Sequence, residues 1–146
     1  MREEAMMGAI DIGGTKIAVG LVDGLGCVAS KLECPTQPRR GFEDAFQRMG
    51  QMLRETMSRA GTRITGIGIG CTGPVDPFKG TVEQADLLFG GEGAKLVELL
   101  EEEFGVPAAL ENDADAAAMG EAAWGAGKSI FQSKNEPETE ECFQYK

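Results

Sequence analysis

Apolar residues alternate with small or polar ones in three short stretches near the start of the chain. Met7 to Ile12, Lys16 to Val22 and Cys27 to Cys34 each read as a strand. The glycine-rich turns Gly13-Gly14 and Asp23-Gly24 separate them, and turns this short favour antiparallel pairing. From Gly41 to Gly61 the period changes. Phe42, Ala45, Phe46, Met49, Met52, Leu53 and Met57 recur at steps of three and four, which predicts an amphipathic helix ended by Gly61. Ile64 to Gly70 returns to a β-branched and glycine strand, and Thr72-Gly-Pro-Val-Asp-Pro77 with Lys79-Gly80 predicts a long turn-rich loop. A second helix spans roughly Gly93 to Phe104, burying Leu96, Val97, Leu99, Leu100 and Phe104, with Gly105 as its C-cap. Val106 to Glu111 reads as a strand, after which Asn112 or Asp113 caps an alanine-rich helix that runs through Trp124 and stops at Gly125-Ala-Gly127.

The order βββ-α-β-α-β-α predicts an α/β fold, in which a hairpin meander is extended through crossover helices into a mixed sheet flanked by helices. Residues 1–128 form one lobe by this reading. Residues 129–146 are rich in Glu, Gln, Lys and Ser, show no helical or strand period and contain Pro137, so they read as a disordered tail.

Composition narrows the function classes. The 146 residues are 42% hydrophobic, enough for one core. Lysine plus arginine number 14 and aspartate plus glutamate 24, a net charge of −10 that argues against broad nucleic-acid binding. Acidic residues occupy the N-terminus where a secretory signal would be basic, and no apolar run approaches membrane-spanning length, so the expectation is a soluble cytoplasmic protein without a membrane partner. Cys27, Cys34, Cys71 and Cys142 show no Cys-x-x-Cys spacing and the chain has no histidine, which predicts reduced thiols and no zinc ribbon.

Two segments carry candidate chemistry. In Asp11-Ile-Gly-Gly-Thr-Lys16, set between two strands, Gly13 and Gly14 allow turn conformations closed to other residues and bring backbone N–H groups close to a polyphosphate. Thr15 adds a hydroxyl, and Asp11 could hold Mg²⁺ through water. A plain Gly-Gly hairpin turn accounts for the same residues. In Leu110-Glu-Asn-Asp-Ala-Asp-Ala116 a strand ends and a helix begins, the edge of a parallel sheet where ligands sit. There Asp113 could accept a proton from a substrate hydroxyl and Asn112 could bind sugar hydroxyls, while a simple N-cap is the better account of both residues when this segment is taken alone. Two other motifs are set aside. Gly68-x-Gly70-x-x-Gly73 formally matches a dinucleotide fingerprint, but Pro74, Pro77 and Gly80 hold the chain in a loop where a helix should open. Ala122 to Ser129 loosely matches a P-loop, yet follows a helix rather than a strand.

Three segments in order resemble the ROK family (repressor, open reading frame, kinase) of sugar kinases within the actin-like ATPase superfamily. They are Ala9 to Lys16, Gly66 to Gly70 leading to Gly73-Pro-Val-Asp76 and Gly80-Thr-Val82, and Glu111 to Ala118 with Gly120-Glu121. The resemblance implies an actin-like (ribonuclease H-like) N-terminal lobe and ATP-dependent phosphorylation of a hexose such as glucose. It assigns Asp11, Gly13, Gly14, Thr15 and Lys16 to the first phosphate loop with Mg²⁺, and Asn112, Asp113 and Gly73 to the sugar, with Asp113 as general base on the hydroxymethyl oxygen. The resemblance also implies that a homodimer is possible in the full-length family, though it is not expected of this chain.

Departures from the family accompany it. Members are roughly twice this length and continue into a second phosphate loop, and their zinc site needs a histidine. Gln84 to Gly91 differs from the usual Asn-Pro-rich segment with a tryptophan. The expectation is therefore a truncated lobe, inactive alone. The alternatives are the sugar-sensing domain of a ROK transcriptional regulator, which carries a helix-turn-helix where only six residues precede Met7, and a non-catalytic sugar-binding module.

Overall fold

The computed structural model describes residues 5–83 and 90–124. Residues 84–89 of the expected departure at Gln84 to Gly91, the helix stop at Gly125-Ala-Gly127, the P-loop-like Ala122 to Ser129 beyond Trp124, and the tail lie outside the described residues. A five-stranded sheet has the order β3-β2-β1-β4-β7, formed by β1 (Met6–Ile12), β2 (Lys16–Val22), β3 (Val28–Pro35), β4 (Ile64–Cys71) and β7 (Ala108–Asn112). The first three strands are an antiparallel meander, while β4 is parallel to β1 and β7 is parallel to β4. This is the mixed sheet that the βββ-α-β-α-β-α order predicts.

Long α1 (Phe42–Ala60) returns the chain from the meander to β4, and α2 (Leu96–Phe104) precedes β7. Both turn their apolar stripe to the core, which fully covers Ala45, Met49, Leu53, Leu96 and Leu100. Phe42, Phe46, Met52, Met57, Val97 and Phe104 are partly buried against it, and Leu99, predicted buried, is half-buried outside it. Met49, Leu53, Leu96 and Leu100 are fully buried with Ile10, Ile12, Ile17, Val19, Leu21, Ile67 and Leu110, and each such side chain stabilises the fold by roughly 1.5–3 kcal/mol. Leu53 lies against Gly8, whose added Cβ would stand 3.0 Å from Leu53 Cδ1. Arg54 ties the two helices together, pairing with Glu103 and lying 5.0 Å over the Phe104 ring. The third helix, α3 (Asp113–Trp124), packs on β4 and β7 from the other face of the sheet, beside Gly70.

Some boundaries shift for identifiable reasons. β7 starts at Ala108 rather than Val106 because Pro107 has no N–H to give the ladder, although its carbonyl still accepts from Ile67 N at 2.9 Å. The predicted loop after β4 contains a small hairpin, β5 (Val75–Asp76) with β6 (Thr81–Val82). Its turn is built by Asp76, whose Oδ1 accepts from the N–H groups of Phe78 and Lys79 at 3.0 Å each. Cys34 and Cys71 are free thiols as expected. Among the described residues no helix is long and apolar enough to cross a membrane.

Gly105 is the C-cap of α2 as predicted, with φ +66° and its N–H bonded to Glu101 O at 2.8 Å. Nothing would crowd a Cβ there, so Gly105→Ala tests the backbone alone. The left-handed conformation predicts a loss of about 1 kcal/mol in urea unfolding. An unchanged midpoint would show that the cap contributes nothing.

Candidate active site

Parallel strands pointing the same way end at the same edge, and here three of them do. Asp11, Gly70 and Glu111 lie side by side across β1, β4 and β7, followed by the row Ile12, Cys71 and Asn112. Asp113, the first residue of α3, comes next. Gly70 allows these groups to converge. A Cβ on it would be 3.8 Å from Asp113 Cα and 3.9 Å from Asp11 Oδ1, with Ala116 Cβ at 3.7 Å.

Two carboxylates therefore flank one glycine, and the electrostatics register this. Partial burial raises the Asp11 carboxyl above its ordinary value and the Asp113 charge raises it further, while Lys16 and Lys31 act in the opposite direction. The Cys71 thiol beneath them is pushed up to about 12, mainly by burial and then by Asp113 and Asp11, which makes it an inert packing group.

Asp113 is held at both oxygens. Thr72 Oγ1 donates to Oδ2 at 2.9 Å and the Ala114 N–H donates to Oδ1 at 2.8 Å. A carboxylate has about four lone-pair sites, so both oxygens retain capacity for a substrate hydroxyl. Asn112 uses both ends of its amide: Nδ2 donates to Gly73 O at 3.1 Å and Oδ1 accepts from Ala114 N at 3.0 Å. It is thus a helix cap and a strut to the Gly73 loop at once, and its amide retains one further donor and one further acceptor site. Gly73 takes φ +84°, the left-handed conformation that aims its carbonyl at Asn112.

The turn after β1 differs from expectation in one respect. Neither Gly13 nor Gly14 takes a left-handed φ. Gly13 is required by proximity instead, since a Cβ would stand 3.0 Å from Lys16 O. Its N–H closes the turn by donating to Lys16 O at 2.9 Å, so it is engaged within the chain. The N–H groups of exposed Gly14 and Thr15 meet no acceptor among the described residues. No neighbouring atom lies within 4 Å of a Cβ on Gly14. Lys16 begins β2 and pairs with Glu33 at 3.2 Å rather than reaching over the turn.

The carboxylates suit a hard divalent cation held through water. Asp11 and Asp113 repel each other across a solvent-open edge, and among the described residues no three acidic, histidine or cysteine groups converge into a closed cage.

Residues 7–133 match the ROK family. The chain belongs to the ROK family. It is 39% identical over 121 residues to a glucokinase of Streptomyces coelicolor, covering 82% of this chain and 36% of that protein. A ROK glucokinase from Streptomyces griseus, solved with glucose and AMPPNP, superposes with a TM-score of 0.74 at 34% identity over 84% of this chain and 38% of that one. A ROK hexokinase from Thermus thermophilus gives 0.72 at 36% identity, over 80% of this chain and 38% of its own. The chain thus spans little more than a third of the length of these ROK relatives. Its sheet is that of the actin-like sugar kinases.

Thr72 is the site residue that pattern reading passes over. Its position next to Gly73 was the available signal, but the pairing with Asp113 joins residues 41 apart in sequence.

Proposed function

We propose that this edge is the sugar-binding and first-phosphate wall of an ATP-dependent hexose kinase. The observation that carries the reading is the placement of Asp113, held by Thr72 and Ala114 beside Asp11 where three parallel strands end. In this reading Asn112, Asp113 and the Gly73 loop hold the hexose. Asp113 takes the proton of the hydroxymethyl group as its oxygen attacks the γ-phosphorus of ATP and ADP departs. Gly14 N–H, Thr15 N–H and the Thr15 hydroxyl contact phosphate oxygens, with Gly13 shaping the turn and Lys16 adding positive charge nearby. Asp11 would hold Mg²⁺ through water, and a bound ion would supply charge neutralisation for the transferring group.

Such a transfer needs the γ-phosphate surrounded by compensating charge and shielded from water. Gly14, Thr15 and Lys16 are all exposed and Asp11 is only partly covered, so the 146-residue chain should bind hexose without turning it over. Glucose titrated into the ¹⁵N-labelled chain is expected to shift the amides of Gly73, Asn112 and Asp113, and a coupled assay with Mg-ATP should show no hexose phosphate. Shifts confined to other parts of the sheet would remove the sugar assignment. Steady product formation would remove the claim that this wall is insufficient.

A further inference from the structure

The phosphate turn has a buried support that its own residues do not provide. Thr36, which follows β3, is fully buried. Its hydroxyl donates to Gly13 O at 2.7 Å and its N–H donates to Thr15 O at 2.9 Å. One residue thus grips two of the turn's carbonyls. Thr36 is itself anchored from α1. Arg48 donates through Nη2 to Thr36 O and through Nη1 to Pro35 O, both at 2.6 Å, and it is held by Asp44 at 2.7 Å.

A trans peptide is planar, with its C=O and N–H pointing in opposite directions. The Gly13 carbonyl belongs to the same peptide plane as the Gly14 N–H, so drawing that oxygen inward turns the Gly14 N–H outward. The Thr15 carbonyl likewise fixes the plane carrying the Lys16 N–H. A Gly-Gly peptide has little intrinsic preference between its two orientations. Reversed, it would present a carbonyl oxygen to an anion in place of a donor.

We infer that Thr36, braced by Arg48, is a positioning residue that orients the Gly13–Gly14 peptide for phosphate binding. The inference rests on the reading of this turn as a phosphate grip. It concerns nucleotide and leaves the hexose site untouched.

The test uses the full chain with Mg-AMPPNP and glucose as separate probes, followed by amide shifts. Thr36→Val keeps the volume and the main-chain N–H but loses the hydroxyl. It is expected to weaken Mg-AMPPNP about tenfold, the scale of one hydrogen bond that orients a donor to a charged group, with glucose affinity unchanged within twofold. Thr36→Ser should restore nucleotide binding. Equal losses for both ligands, or no loss of nucleotide affinity, would overturn the inference. Should Thr36→Val fail to fold, Arg48→Met decides: a selective nucleotide loss of about threefold supports the brace, and an equal or absent loss removes it. If the unaltered chain shows no Mg-AMPPNP shifts at Gly14 and Thr15, the phosphate reading itself falls and the inference with it. That outcome is distinct from a normal wild-type response that Thr36→Val leaves intact.

Discussion

Asp113→Asn is expected to reduce the glucose affinity of the chain about tenfold or more, the scale of losing a charge-assisted hydrogen bond at a positioned site. The substitution retains shape and leaves an oxygen to accept from Thr72, so the fold should persist. Calorimetric or NMR titration supplies the measurement, and affinity within twofold of the unaltered chain would remove Asp113 from the sugar site. A second readout comes from Asp11. Burial and the Asp113 charge hold its carboxyl above its ordinary value. Removing that charge should lower the Asp11 midpoint in a ¹³C carboxyl titration while the larger burial effect remains. The sign for stability follows. A carboxyl whose folded-state midpoint is raised favours the fold most at low pH, and that contribution is lost as pH climbs through the raised midpoint. Asp113→Asn should make the loss smaller, seen as a flatter dependence of urea unfolding on pH across the Asp11 window.

Gly80→Ala is expected to be the most damaging glycine substitution outside the site. Gly80 has φ +68°, and a Cβ there would lie 2.6 Å from Val97 Cβ and 2.8 Å from Val97 Cγ2. Two costs combine: left-handed strain of roughly 1–2 kcal/mol and overpacking of roughly 1–3 kcal/mol. The clash falls on the stem of a side chain rather than its flexible end, and the Val97 N–H also donates to Gly80 O at 3.2 Å. This contact fastens the β5–β6 hairpin to α2. The hairpin follows directly on the Gly73 loop, so displacement should also weaken glucose binding. Urea unfolding of Gly80→Ala, Val97→Ala and the double variant measures the coupling. The double variant should recover the overpacking share and leave the conformational share. Purely additive losses would mean the two residues do not clash.

The elements of this protein were largely legible from local pattern. Period-two and period-3.6 spacing located β1, β2, β4, α1 and α2, because a face that must be buried leaves its mark at every second or every third to fourth residue. Glycines marked the ends of α1 and α2 because few other residues enter the left-handed region. The β5–β6 hairpin escaped notice because two-residue strands are too short to show a period, and its turn depends on one carboxylate, Asp76, bonding to the next backbone amides. The strand start at Ala108 depended on a single missing donor at Pro107.

For the site, the sequence by itself determined which groups were chemically capable: Asp11 with its glycine turn, and Asn112 with Asp113 at a strand-to-helix junction. It could not separate a ligand group from a helix cap, and in the structure Asn112 caps α3 while bracing the Gly73 loop. Only the tertiary structure decided that β1, β4 and β7 end in register, bringing Asp11 and Asp113 to either side of Gly70. Only it revealed Thr72 on Asp113 and Thr36 beneath the turn. Those contacts span 41 and 23 residues of chain, and no local rule of spacing reports on them. They exist because a parallel sheet aligns the ends of strands that are distant in sequence, and because a buried carbonyl must find a donor wherever the fold can supply one.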